Sequence, residues 1–115
     1  MLIKLINLTP HEITIIRDDG NITIPPSGTV ARCTVTRRQV GSVDGIPVNR
    51  TVFGAVEGLP DPQPGTYYIV SAIVAQACPD RTDLLITDDA VRDDQGRIIG
   101  CRALATVAQE GRWQQ

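Results

Sequence analysis

The chain has 115 residues, with 11 basic against 13 acidic side chains, a formal charge of −2 and a pI near 5.2. That length suits one domain with a single core. Four residues are aromatic (Phe53, Tyr67, Tyr68 and Trp113) while Ile, Val and Thr supply 35, which argues against a helical bundle and an aromatic platform for single-stranded nucleic acid, and the acidic balance argues against a basic duplex-binding face.

Taken in chain order, Ile3 to Leu8 reads as a short strand stopped by Thr9-Pro10, because proline lacks the amide a ladder needs. Glu12–Arg17 and Asn21–Ile24 alternate polar and apolar residues around Asp18-Asp19-Gly20, a hairpin signature. Pro25-Pro26 and Ser27-Gly28 close that unit. Val30–Thr36 alternates again. Gln39–Val43 and Ile46–Phe53 flank Asp44-Gly45, which predicts a second hairpin. The three prolines between Leu59 and Gly65 make a loop.

Thr66–Val70 is the most apolar strand. It leads into Ser71–Cys78, an Ala-rich helix with Ser71 as N-cap and Pro79 as terminator. Leu84–Ile86 reads as a strand, Thr87–Gly96 as mostly loop, and Ile98–Val107 as the last strand, with a helix over 103–109 as the alternative. The pattern predicts a mainly β (α+β) fold: an antiparallel meander or barrel-like sheet with one short helix. It fits a single β-rich domain over 1–109 and a polar tail over 110–115.

The start of the chain lacks the long apolar stretch and small-residue cleavage site of a signal peptide, and Tyr67–Ala77 is too short to span a bilayer. Cys33, Cys78 and Cys101, an odd number at irregular spacing, read as reduced thiols. A cytoplasmic protein with no membrane partner is expected.

The polar residues offer few chemistries. One histidine, His11, and scattered cysteines give no close metal-ligand pair, so neither metal nor cofactor is expected. His11 with a cysteine is the weak catalytic alternative; the cysteines sit in apolar surroundings, where a thiol packs as a small hydrophobe. The acidic group Asp88, Asp89, Asp93 and Asp94 lacks the calcium-loop order and reads as a solvated turn. Asp80 to Asp83 reads as a local Asp–Arg bridge.

Asn7, Thr9 and His11 crowd one proline turn, which either fixes the backbone or lines a pocket. Ser71 opens a helix, and Arg32, Arg81 and Arg102 are available to an anion. These seven residues are the candidate ligand-binding set.

The run Asn7-Leu8-Thr9-Pro10-His11, followed by Pro25–Arg32, Phe53–Pro60, Tyr68–Ser71 with Val74-Ala75, Arg81 and Asp83, and Gly96–Cys101, resembles small proteins encoded in phage and prophage genomes. In size and β content the chain is also broadly similar to the Thoeris anti-defence sponges, which sequester nucleotide-derived signals. The resemblance implies a non-enzymatic protein of the host cytoplasm. It would be homo-oligomeric and capture a small anionic or nucleotide-like ligand, while the charge of −2 speaks against a duplex nucleic-acid partner. The alternative is a structural or protein-interaction module, a virion accessory part or an inhibitor of a host protein, without a small-molecule ligand.

Overall fold

The computed structural model describes residues 3–108, of which Lys4–Asn7 form β1, Ile13–Ile15 β2, Ile22–Ile24 β3, Arg32–Val43 β4, Ile46–Glu57 β5, Thr66–Ile69 β6, Ala72–Ala77 α1, Leu84–Arg92 β7 and Ile98–Ala105 β8. Strands account for 52 % of the described residues and helix for 6 %, so the mainly β expectation holds. Among the described residues no helix is long and apolar enough to cross a membrane. The tail over 110–115 lies outside the described residues, as does Trp113.

Six strands form one sheet in the order β1-β6-β7-β8-β2-β3; β4 and β5 form a second sheet of their own. The larger sheet takes the barrel-like form rather than the meander. β1–β6, β6–β7 and β2–β8 are parallel, while β7–β8 and β2–β3 are antiparallel. Its end strands β1 and β3 lie side by side without a ladder between them.

The parallel centre explains why Thr66–Val70 and Leu84–Ile86 are continuously apolar: such strands are covered on both faces. Tyr68, Val70 and Leu84 pack with Leu8, Ala31 and the α1 residues Val74 and Ala75. The intervening Ile69 and Leu85 pack with Ile13 and Cys101, so β2, β6, β7 and β8 all contribute to the barrel interior. The period of two sorts one strand between two cores.

Helix α1 begins where expected. The Ser71 hydroxyl accepts from the Val74 amide at 3.3 Å, and the chain leaves the helix at Cys78, before Pro79. Two boundaries differ from the sequence reading. β7 runs on through Thr87–Arg92, because pairing with β8 holds an acidic stretch extended that has little strand propensity itself. Ala103–Ala105 continues β8 in register with Ile86–Asp88, so the helical alternative for this stretch fails.

The second hairpin is far longer than its alternation suggests. β4 and β5 run 12 residues each, and Asp44 and Gly45 take φ of 51° and 78°, the left-handed pair of a tight two-residue turn. At about 3.4 Å per residue the ladder is roughly 40 Å long. Only its base joins the core, through Cys33 and Val56. There Gly58, at φ 79°, passes so close to the Val30 carbonyl that a Cβ would overlap it. We call β4–β5 the arm and the rest the body.

Candidate functional site

The Asn7 turn is a seam in the barrel. Asn7 is 1 % exposed. Its Nδ2 donates to the carbonyls of His11 at 2.8 Å and of Ile24 at 3.1 Å. Its Oδ1 accepts from the Thr9 amide at 2.9 Å and the Thr9 hydroxyl at 2.6 Å. Four bonds use the full capacity of a carboxamide. Ile24 ends β3, so a β1 side chain stitches the two end strands of the sheet together. The Ser27 amide then donates to the Asn7 carbonyl and the Ala31 amide to the Leu8 carbonyl. Asn7 and Thr9 thus hold the backbone, while His11 is exposed beside them.

Arg81 is also committed. Its Nε and Nη2 bind the two Asp83 carboxylate oxygens at 2.8 and 2.7 Å, and Nη2 reaches the Pro60 carbonyl at 3.0 Å. The bond to Asp83 holds the guanidinium proton more tightly than usual. This fork ties the loop after α1 to the proline loop. Arg102 lies 4.0 Å from Asp89 with both side chains more than half exposed.

Two of the seven candidates share a cavity. Arg32 and Ser71 line a hollow of about 430 Å³ at the base of the arm, with Cys33, Ala55, Glu57 and Ile73. Glu57 stands directly opposite Arg32 in the ladder. His11, Arg81 and Arg102 line neither this hollow nor a second one of about 500 Å³. That second hollow lies over β2, β7 and β8, where Glu12, Asp88 and Asp89 surround an apolar wall of Ala90, Ile98 and Ile99. Its acidic rim disfavours anions.

All three cysteines are free thiols. Burial raises the Cys78 pKa, offset in part by Arg81. Among the described residues no group of three or more His, Cys, Asp or Glu is placed to hold a metal ion.

The largest feature missed in the sequence is the arm surface. Eleven of twelve residues in each strand are exposed. Val40, Val43, Ile46 and Val48 are 40–66 % exposed, and Val35, Val52 and Phe53 36–39 %. Along β5 the period of two places Ile46, Val48, Arg50 and Val52 on one face, with their partners Val43, Gly41, Arg38 and Thr36. Arg38 and Arg50 are directly opposite each other. Neither has an ion-pair partner among the described residues, and Arg37 has none either. The signal available in the sequence was three arginines inside a hairpin whose ends are apolar. Comparison with protein-family models, curated proteins and solved structures finds no match to this chain.

Proposed function

We propose that this protein is a non-enzymatic interaction module that docks through its arm. The observation that carries this reading is the exposure of the arm. A two-stranded ribbon standing alone in water is marginal, and stability comes when a hydrophobic face is covered. Here the ribbon leaves seven large hydrophobic side chains in solvent and sets two arginines against each other. Both features are unfavourable in the free chain and are relieved by an apolar, acidic partner surface. The test is site-specific photo-cross-linking in cells. A cross-linker at Val48 gives a discrete adduct, and one at exposed Thr82 gives none. Absence of adducts from Val40, Ile46 and Val48 alike overturns the reading.

A second reading keeps the small anionic ligand. It is favoured by one observation, the convergence of Arg32 and Ser71 on the hollow at the base of the arm. On this reading the ligand is nucleotide-like, its capture counters a host defence signal, and the gene belongs to a phage. A nucleotide panel then raises Tm, since ligand at 100 times Kd adds about 2.7 kcal/mol. Arg32→Ala abolishes the shift, and a panel without effect sinks the idea.

A further inference from the structure

We infer that the arm's partner is a second copy of this chain, whose acidic hollow over β2, β7 and β8 receives it. This rests on the docking reading above and adds the occupant.

Charge selects the arrangement. Residues 32–57 carry four arginines against Asp44 and Glu57, a net +2; the whole chain carries −2, so the remainder carries −4. Two arms laid together would bring like charges into contact, whereas an arm on a body brings opposite ones together. The hollow repeats this at close range. Glu12 and Asp88 have no ion-pair partner among the described residues, and the Arg102–Asp89 contact is long and solvated. Ile98 and Ile99 beside them are 60 % and 52 % exposed. The arm face offers the converse pattern: Arg38 and Arg50, with Val43, Ile46 and Val48 beyond them.

The occupant is not the chain's own arm, which meets the body through α1 and the core beneath it, whereas the hollow is lined by β2, β7 and β8. The area suffices. Some 22 exposed arm residues at roughly 60 Å² each offer about 1,300 Å², and one face is half of that, roughly 650 Å², within the ~600–1,000 Å² per partner of a specific interface. Two copies that exchange arms close into a two-fold dimer, and a contact made one way only propagates head to tail into a ring or an open chain.

The experiment is sedimentation velocity of the purified full chain. Wild type forms species above the monomer at about 100 μM, and these dissociate in about 0.5 M salt. The arm variant R38Q/R50Q and the hollow variant E12Q/D88N each weaken association roughly tenfold. All four positions are exposed, and unchanged circular dichroism verifies the fold. An equimolar mixture of the two variants forms a dimer that grows no further, because one intact arm meets one intact hollow. The proposal is overturned by a wild type that stays monomeric, by an arm variant that dissociates while the hollow variant does not, or by a mixture without rescue. If Val48 still gives an adduct of another mass, a nucleic acid or a different protein, the self-partner falls and arm docking stands. If Val40, Ile46 and Val48 all give no adduct, both fall.

Discussion

The body and the arm use the same kinds of aliphatic residue with opposite outcomes. In the body, Ile13, Ile69, Val70, Val74, Leu84 and Leu85 are buried, and each strand of the parallel centre serves two cores. In the arm, valines and isoleucines on an equally regular ladder are left in solvent. The difference lies in what each ladder packs against, not in strand propensity. The central body strands β6 and β7 find neighbours on both edges and both faces, while the arm has one partner strand and two open edges. A strand propensity is therefore only half of a structural instruction; the covering surface is the other half.

Substitutions can test how sharp this division is. The largest effect is expected at the seam. Asn7→Ala removes four hydrogen bonds: the Thr9 amide loses its acceptor and the Ile24 carbonyl loses the Asn7 donor, while the His11 carbonyl keeps only the Thr9 hydroxyl at 3.1 Å. A loss of about 3 kcal/mol is expected, seen as a Tm lower by roughly 12 °C or more. A change below about 1 kcal/mol would mean that the turn does not close the barrel.

The arm responds in the opposite way. Val43→Ser with Ile46→Ser, at residues 66 % and 64 % exposed, shifts the unfolding midpoint of the dilute protein by less than about 0.5 kcal/mol. The same pair should alter any association through the arm. A large loss of stability in dilute solution would erase the contrast, since it would mean that the tip is already packed.

The smallest effect is a local one at the β7–β8 turn. The Asp93 carboxylate accepts from the amides of Arg97 and Gln95, both at 2.9 Å, and from the Arg97 side chain at 3.2 Å. The Arg97 amide is the main cause that holds its pKa below the ordinary carboxylate value. A depressed folded pKa means that the carboxylate supports the turn at pH above its unfolded pKa, and that this support fades as pH falls through the lower folded value. By NMR, the Gln95 and Arg97 amides should titrate with a midpoint below that of an unstructured aspartate. A midpoint at the ordinary value would show that the turn does not depend on this charge.

Local chemistry was legible in the sequence, and long-range pairing was not. Asp44-Gly45, the Leu59–Gly65 proline loop and the Ser71 cap act within a few residues, and each lies where the pattern placed it. β4 escaped as one strand because Arg37 and Arg38 interrupt its alternation, although a solvated ribbon tolerates charge on both faces. Thr87–Arg92 read as loop because four of its six residues are polar; only β8 opposite makes it a strand. In the candidate set, Asn7 and Thr9 form a polar knot whose bonds are those of a fixed turn. That Asn7 also reaches Ile24, 17 residues away, depends on closure of the barrel, which no local pattern encodes. The hollow at Glu12, Asp88 and Ile98 is likewise built from three separate segments.

The arm also bears on the order in which the molecule assembles. β1 must find β6 in parallel register, Lys4 against Thr66, and the intervening chain of about 60 residues opposes that encounter. A hairpin of this kind forms on its own within microseconds. Once zipped, residues 32–57 drop out of the loop, leaving about 35 residues to be closed and lowering the entropic cost by roughly 0.5 kcal/mol. A chain whose arm cannot zip would therefore close its barrel about twofold more slowly, with every contact inside the barrel unchanged. An element that adds little to the core thus sets part of the rate at which the core is reached.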